Sequence, residues 1–202
     1  MTVIIVFDLM ETLLTDPYLD AHEKATGMSF ADFERLRPAG LYHAMERGEV
    51  PESAYWAGLR EAGVDCDTAL FHQVRRDGYR WLDGMRDLAT ECAAVRRTVI
   101  GSNYPDWIEE VGREFLHDLD IEIFASYRFG VRKPSEAFFR QLCDRVGAAP
   151  HELVLIDDKA ENTAAVTRLG GLGITFVSAD DTRRRLRRAG VLPAVSPQEG
   201  RS

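Results

Sequence analysis

The stretch VIIVFDLMETLLTDPY, residues 3–18, decides the fold of this chain. It opens with five apolar residues, 3–7, and Asp8 follows directly. A run this short and bounded has no room for a helical period, so it predicts a buried strand. Open α/β sheets bind their ligands at the carboxyl ends of their strands. The carboxylate of Asp8 is therefore predicted to stand at the ligand-binding edge of a sheet.

Four further runs predict strands, most of them continuously apolar, as in parallel strands that are covered on both faces. They are residues 98–101, 121–125, 153–156 and 174–177. Helical stretches follow the second, third and fourth strands: PDWIEEVGREFLHDL, PSEAFFRQLCDRVG and KAENTAAVTRLG. Strand-then-helix alternation predicts right-handed βαβ units. The fold class is therefore α/β, a Rossmann-like doubly wound parallel sheet.

The gap between the first two strands is much longer than one crossover needs. Residues 16–81 have helix-like composition and no convincing strand. We predict that they form a small helical cap, inserted into a core made of residues 1–15 and 82–190. The last segment, residues 191–202, is predicted to be a loose tail.

Composition narrows the class of partner. The 202 residues suit one domain with a modest insertion. A net charge of −8 argues against a general nucleic-acid surface. The three widely spaced cysteines predict a reduced, cytoplasmic protein, and no apolar run is long enough to predict a membrane span. We expect a monomer or homodimer that acts on a small metabolite, without nucleic-acid or membrane partners.

Polar residues also follow the second and third strands. Ser102 and Asn103 end the second strand, where a hydroxyl and backbone N–H groups can hold phosphate oxygens. Lys133 precedes Pro134 at a helix entrance, where it could neutralise both a carboxylate nucleophile and a substrate phosphate. Taken singly, an N-cap serine and a surface lysine explain these residues equally well.

Two adjacent carboxylates, Asp157 and Asp158, end the fourth strand in LVLIDDKAEN. Like charges placed side by side are costly unless a cation compensates them. Mg²⁺ is the natural candidate, because it is a hard, oxygen-seeking ion that also binds phosphate. Asn162 is placed to order this loop or to hold a carboxylate. Together, the acidic, hydroxyl and basic groups at four strand ends predict one reactive site, where Asp8 could attack phosphorus or carbon.

The segments FDLMETLL, GSN, SYRFGVRKP and LIDDKAEN resemble, in this order, the four motifs of the haloacid dehalogenase superfamily. The resemblance covers residues 1 to about 177, and the helical insertion matches the cap that the family carries between its first two motifs. It implies a Mg²⁺-dependent phosphatase that acts on a small phosphomonoester through an aspartyl-phosphate intermediate.

The resemblance also implies a role for each motif residue. Asp8 would be the nucleophile and a Mg²⁺ ligand, and the main-chain carbonyl of Met10 would be a second ligand. Asp158 would bind the metal directly, with Asp157 beside it or acting through water. The phosphate and substrate contacts would come from Ser102, Asn103, Lys133, Thr12, Tyr104 and Trp107, with Asn162 and Glu11 in support.

A narrower resemblance concerns the substrate. FDLMETLLTDPY, GMSF, GYRWLDGM, SNYPDW and RKPSEAFF look like the plant chloroplast and cyanobacterial branch that includes flavin mononucleotide (FMN) hydrolases. FMN is therefore the leading specific substrate. Tyr104 and Trp107 lie just beyond the phosphate turn and are predicted to stack on an aromatic substrate. The alternative is that such aromatic residues form ordinary cap core.

The main departure from the family pattern is Met10. Phosphatases of the superfamily normally carry a second Asp there, as the general acid and base. The name-giving dehalogenases also lack it, but they need no metal and typically replace the acidic pair that this chain keeps at Asp157 and Asp158. The pair favours a phosphatase over a metal-independent 2-haloacid dehalogenase or a catalytically silent binding protein.

Loss of that Asp predicts an active phosphatase that is slow on alkyl phosphates, because general acid–base catalysis is worth roughly 10²–10⁴-fold. Glu11 is the nearest carboxylate in the motif. Adjacent residues of an extended segment point opposite ways, so we interpret Glu11 as a cap or ion-pair partner at the hinge of the helical cap. A role for Glu11 as the acid is the alternative.

Overall fold

A computed structural model of the chain describes residues 3–194. Its centre is a five-stranded sheet in the order β3-β2-β1-β4-β5, and every adjacent pair is parallel. The strands are β1 Ile4–Phe7, β2 Arg97–Ser102, β3 Glu122–Ala125, β4 Leu153–Asp157 and β5 Leu172–Thr175. The chain builds outward from β1 in both directions, which is a doubly wound topology. The predicted fold class is confirmed.

The fifth strand lies two residues earlier than predicted. Its partner β4 sets its position: Val154 pairs with Leu172, and Asp157 pairs with Thr175. Phe176 N still donates to the carbonyl of Asp157 at 2.9 Å, but the chain then leaves the sheet, and Val177 is 74% exposed. Hydrophobicity alone favoured residues 174–177, whereas the hydrogen-bond register with β4 determines where the strand begins.

The helices surround this sheet. The first five follow β1 in the region predicted to form the cap: α1 Tyr18–Thr26, α2 Phe30–Leu36, α3 Leu41–Glu46, α4 Glu52–Glu61 and α5 Thr68–Gly78. The others are α6 Met85–Val95, α7 Ile108–Phe115, α8 Ser126–Phe129, α9 Glu136–Val146, α10 Ala160–Arg168 and α11 Ala179–Arg188. Within the described residues, every helix is too short or too polar to cross a lipid bilayer.

Two chain segments join the helices α1–α5 to the sheet. They run side by side, because Leu14 and Trp81 form an antiparallel bridge. Thr15 N donates to the carbonyl of Arg80, and Leu82 N donates to that of Leu13, both at 2.9 Å. These adjoining segments lie where the sequence predicts the cap to begin and end.

Side-chain alternation along β1 explains its uninterrupted apolar run. Ile5 and Phe7 belong to the larger core cluster, which extends into the helices α1–α6. Ile4 and Val6 belong to a second cluster with residues of α9 and α10. Because successive side chains of a strand point to opposite faces, both faces of β1 are buried and both require apolar residues.

The tail predicted from residue 191 is wrong at its first positions. Val191 and Leu192 are buried, and both their N–H groups donate to the carbonyl of Leu186 near the end of α11. These two residues therefore pack against the core and do not form part of a loose tail. Residues 195–202 of the predicted tail lie outside the described residues.

Candidate active site

The ends of β1 and β4 bring the acidic residues together. Phe7 pairs with Ile156, and Asp8 N donates to the carbonyl of Ile156 at 2.8 Å. Asp8 therefore lies beside Asp157 at the edge of the sheet. Each of Asp8, Asp157 and Asp158 offers a carboxylate oxygen within 4.8 Å of those of the other two. The convergence predicted from the strand order is present.

Lys133 lies between two of these carboxylates. Its Nζ is 3.0 Å from Asp8 Oδ1 and 2.6 Å from Asp157 Oδ2, and its side chain is completely buried. Burial opposes the charged form, but the charges of Asp8 and Asp157 outweigh it and raise the pKa of Lys133. Lys133 is therefore a fixed cation beside the predicted nucleophile.

The carboxylate of Asp8 is strongly desolvated. Burial raises the pKa of Asp8 to about 6; Lys133 opposes this shift, whereas Asp157 and Asp158 add to it. Leu9 N donates to Asp8 Oδ1 at 2.7 Å, which fixes the orientation of the carboxylate. Further positive charge at this edge would favour the ionised, nucleophilic form of Asp8.

Both carboxylate oxygens of Asp157 accept hydrogen bonds from other residues of the chain. Its Oδ1 accepts from Lys159 N at 2.9 Å and from Asn162 Nδ2 at 2.8 Å. Its Oδ2 accepts from Lys133 Nζ at 2.6 Å and from Asn162 Nδ2 at 3.0 Å. Asp157 is thus an anchor for Lys133 and for the start of α10. Asn162 holds a carboxylate, which is one of the two roles predicted for it.

Asp158 differs from its neighbour. Its Oδ1 is buried and has no hydrogen-bond partner, and burial followed by repulsion from Asp157 raises its pKa. An unpartnered buried carboxylate oxygen beside two other carboxylates fits a hard divalent cation. Asp8 and Asp158 would hold Mg²⁺, together with the main-chain carbonyl predicted for Met10. Thr12 supports this arrangement, since its hydroxyl accepts from Asp158 N at 3.1 Å.

The loop after β2 contributes Ser102 and Asn103. Ser102 is 1% exposed and lies on the wall of the site. The side chain of Asn103 is bonded to the backbone of Lys133: Nδ2 donates to the carbonyl at 2.9 Å, and Oδ1 accepts from the N–H at 2.8 Å. The sequence analysis predicted that Asn103 contacts phosphate. In the structure its side-chain amide instead binds the backbone of Lys133 and positions that residue.

A cavity of about 220 Å³ opens onto these groups. It brings together the strand ends, the segment after β1 and the helix α3 of the cap. Its wall consists of Asp8, Met10, Glu11, Asp16, Tyr18, Tyr42, His43, Glu46, Ser102, Asn103, Tyr104, Arg132, Asp158, Lys159 and Asn162. Sequence analysis missed Asp16, Glu46 and Arg132. Asp16 and Arg132 lie within quoted stretches but were given no role there, whereas Glu46 lies outside every motif and reaches the site only through folding.

The aromatic residues are arranged differently from the prediction. Trp107 is 5% exposed, packs parallel to Trp56 with ring centroids 6.3 Å apart, and lies 5.0 Å from the guanidinium of Arg75. It belongs to the core between cap and sheet and is not part of the cavity wall. Tyr104 does line the cavity, but its hydroxyl is 2.7 Å from that of Tyr79.

Glu11 occupies the tight turn after the nucleophile. Its φ of 56° lies in the left-handed region, and its Oε1 accepts from Asp16 N at 2.7 Å. The carboxylate thus closes the turn that leads into the cap. This contact supports the predicted role of Glu11 at the hinge.

Comparison with known proteins identifies relatives of this chain. No family model matches it. It is 26% identical over 198 residues to the chloroplastic flavin mononucleotide hydrolase 1 of Arabidopsis thaliana, which covers 95% of this chain and 79% of the relative. It is 26% identical over 189 residues to a sesquiterpene phosphatase of Aspergillus oryzae, covering 90% and 93% of the two chains.

Solved structures share the fold. A haloacid dehalogenase (HAD) family enzyme from Bacteroides thetaiotaomicron, solved with magnesium and inorganic phosphate, matches with a TM-score of 0.70 at 18% identity, over 88% of this chain and 96% of that one. An L-2-haloacid dehalogenase from Xanthobacter autotrophicus matches with a TM-score of 0.61 at 17% identity, over 96% and 85%.

The fold and the four strand-end groups define a HAD-type hydrolase. The chain is similar to hydrolases of the haloacid dehalogenase superfamily, and the curated proteins that it matches include phosphatases. One of these relatives, a flavin mononucleotide hydrolase, is similar to the chain along nearly its whole length. The resemblance inferred from the motifs is confirmed.

Proposed function

We propose that this protein is a Mg²⁺-dependent phosphatase of small phosphomonoesters, with Asp8 as the nucleophile. The observation that carries the proposal is the position of the Asp8 carboxylate. It lies 3.0 Å from Lys133 Nζ and within a cluster of three carboxylates that includes the unpartnered oxygen of Asp158. Phosphoryl transfer depends mainly on such positioning and charge neutralisation.

The residues support a two-step reaction. An Asp8 oxygen attacks phosphorus, the bond to the leaving oxygen breaks, and an aspartyl phosphate forms. Water then attacks the same phosphorus and releases phosphate and the free Asp8 carboxylate. Lys133 neutralises charge on Asp8 and the phosphate, while the Ser102 hydroxyl is placed to donate to a phosphate oxygen. Mg²⁺, when bound, would offset the negative charge of the carboxylates and the phosphate.

The acidic pair distinguishes this proposal from the alternatives. A metal-independent dehalogenase has no need of Asp158, whose buried oxygen lacks a partner among the described residues. A silent binding protein has no need of a lysine that is completely buried against the nucleophile. Burying these charges is costly, so their retention favours the phosphatase.

FMN is the specific substrate that we propose, on the basis of the similarity to the plant hydrolase. The cavity of about 220 Å³ is smaller than the ~300–1,000 Å³ that is usual for drug-sized ligands. We therefore propose that the phosphate and the adjoining carbons of the ribityl chain enter the cavity. The flavin ring system would then remain at its mouth.

The test is a phosphate-release assay with FMN, p-nitrophenyl phosphate, a sugar phosphate and a sesquiterpenyl phosphate. Chelator should abolish release, and Mg²⁺ should restore it. Asp8→Asn should be folded and inactive, and it should not bind beryllium fluoride as the wild type does. Full activity in chelator, halide release from 2-haloacids, or an active Asp8→Asn variant would contradict the proposal.

A further inference from the structure

The proposed phosphatase lacks the usual acid of the first motif, because Met10 stands in its place. An alkyl leaving group departs as a strong base and needs a proton. Three carboxyl groups line the cavity besides Asp8 and Asp158, namely those of Glu11, Asp16 and Glu46. Two of the three already accept hydrogen bonds from backbone N–H groups. Glu11 accepts from Asp16 N, and Asp16 accepts from Tyr18 N at the start of α1.

Glu46 has no such backbone partner among the described residues. It is the last residue of α3, it is 5% exposed, and it lines the cavity. Its Oε2 lies 3.0 Å from Nε of Arg132, the residue before Lys133. The two atoms are in ionic contact but are not aligned for a hydrogen bond. The carboxyl group is therefore buried, and its Oε2 has no aligned hydrogen-bond donor among the described residues. This oxygen can carry a proton.

The backbone of Glu46 is fixed to the phosphate-binding side of the core. Ser126 Oγ donates to the main-chain carbonyl of Glu46 and accepts from Tyr104 N at 3.1 Å. Two residues further on, Gly48 passes so close that a Cβ there would lie 2.4 Å from the carbonyl oxygen of Tyr127. The end of α3 is thus held against the start of α8, which is itself hydrogen-bonded to the loop that carries Ser102.

We propose that Glu46, supplied by the cap, is the general acid and base that replaces the missing first-motif acid. The inference rests on the proposed phosphatase function. When Asp8 attacks phosphorus and the bond to the leaving oxygen breaks, the Glu46 carboxyl gives its proton to that oxygen. The resulting carboxylate then takes a proton from the water that attacks the aspartyl phosphate, which restores Glu46 to its starting form.

The surroundings of Glu46 suit both halves of this cycle. Burial raises the pKa of Glu46 to about 7; Arg132, Lys159 and Arg37 oppose the shift, and Asp16 adds to it. Tyr42, from the same helix, also faces this carboxyl. A group that titrates near neutral pH can both give and take a proton.

The decisive variant is Glu46→Gln, assayed on FMN and on p-nitrophenyl phosphate. Loss of a general acid should lower kcat/KM for FMN by roughly 10²-fold or more. The kcat/KM for p-nitrophenyl phosphate should change little, because this constant covers only the formation of the aspartyl phosphate and its leaving group departs without a proton. Glu49→Gln is the matched control: Glu49 is exposed, pairs with Arg47 and lies outside the cavity wall. It should leave both activities unchanged.

The pH dependence of turnover tests the same role, and a second variant, Arg132→Gln, should shift it without removing Glu46. Wild-type turnover of FMN should fall as the pH rises through about 7, because the acid form of Glu46 is consumed. This alkaline limb should be absent in Glu46→Gln. Arg132→Gln should move the limb to higher pH, because Arg132 favours the ionised carboxylate.

The outcomes separate this inference from the proposed function. If Glu46→Gln lowers kcat/KM for FMN and for p-nitrophenyl phosphate equally, or if Arg132→Gln leaves the limb in place, Glu46 is not the acid although the phosphatase stands. If Asp16→Asn gives the selective loss instead, the inference is also wrong. A wild type that releases no phosphate from either substrate would overturn the phosphatase itself.

Discussion

Both polar atoms of the Asn103 side-chain amide form hydrogen bonds with the backbone of Lys133. Nδ2 donates to the Lys133 carbonyl at 2.9 Å, and Oδ1 accepts from the Lys133 N–H at 2.8 Å, across a separation of 30 residues. The loop after β2 is thereby fixed to the loop before α9. This pair of hydrogen bonds sets how far the Lys133 ammonium reaches toward Asp8.

The first prediction tests this positioning role. Asn103→Ala should lower kcat about 10²-fold, because a misplacement of about 1 Å in a reacting group costs that much. The substrate KM should change less. The measurement is steady-state kinetics of Asn103→Ala, Lys133→Ala and the double variant. If Asn103 acts through Lys133, the double variant should be no slower than Lys133→Ala, whereas multiplicative losses would show an independent role.

The second prediction separates the two adjacent aspartates. Asp157→Asn should lower the free energy of unfolding by about 3 kcal/mol, because it breaks the buried ion pair with Lys133. Asp158→Asn should not destabilise the metal-free protein, since one oxygen of this carboxylate has no hydrogen-bond partner and Asp157 repels its charge. Urea denaturation of both variants in chelator measures the difference.

Magnesium provides the matching control for this pair. A ligand that binds only the native state raises its stability, so Mg²⁺ should increase the Tm of the wild type. The increase should vanish in Asp158→Asn. Equal losses of stability for the two variants in chelator would show that their carboxylates have the same structural role.

The third prediction concerns the aromatic residues. Trp107→Ala should cost about 3–5 kcal/mol of stability, the usual penalty for emptying a buried aromatic site. It should change KM for FMN and for a small phosphate equally, because Trp107 lies outside the cavity wall. Tyr42→Ala, on the wall, should raise KM for FMN more than for the small phosphate. A selective KM effect of Trp107→Ala would restore its predicted contact with substrate.

The fourth prediction is a loss of stability in acid that originates in the cap. His22 is fully buried, with Nε2 2.9 Å from the Tyr55 hydroxyl and Nδ1 2.8 Å from the Tyr18 carbonyl. Burial lowers the pKa of His22 from 6.5 to about 4. Between these values the unfolded chain binds a proton that the folded protein excludes, so stability falls as the pH falls.

The expected size of this loss is about 3 kcal/mol between pH 6.5 and 4, from 1.36 kcal/mol per pKa unit. Urea denaturation across this range measures it. His22→Gln should be less stable at neutral pH but should lose less stability on acidification. His117→Gln, at an exposed site, should keep the wild-type slope. An unchanged slope in His22→Gln would assign the acid sensitivity to other groups.

The sequence by itself determined the sheet and the order of the groups along its edge. The runs that became β1 and β4 are apolar without interruption because both faces of each strand are covered. Parallel strands also end at one edge, so Asp8, Ser102 and Asp157 had to converge once the topology was known. These features follow from local patterns, which need no knowledge of distant contacts.

Only the tertiary structure decided what each polar group does at that edge. Asp157 and Asp158 look alike in sequence, yet one is saturated by Lys133 and Asn162 while the other keeps an oxygen free. Glu46 belongs to no motif. It lies at the site because the hydrogen bond from Ser126 holds the end of α3 against the core. Periodicity reports which face of an element is buried, whereas a hydrogen bond or a pKa depends on partners that chain packing brings from elsewhere.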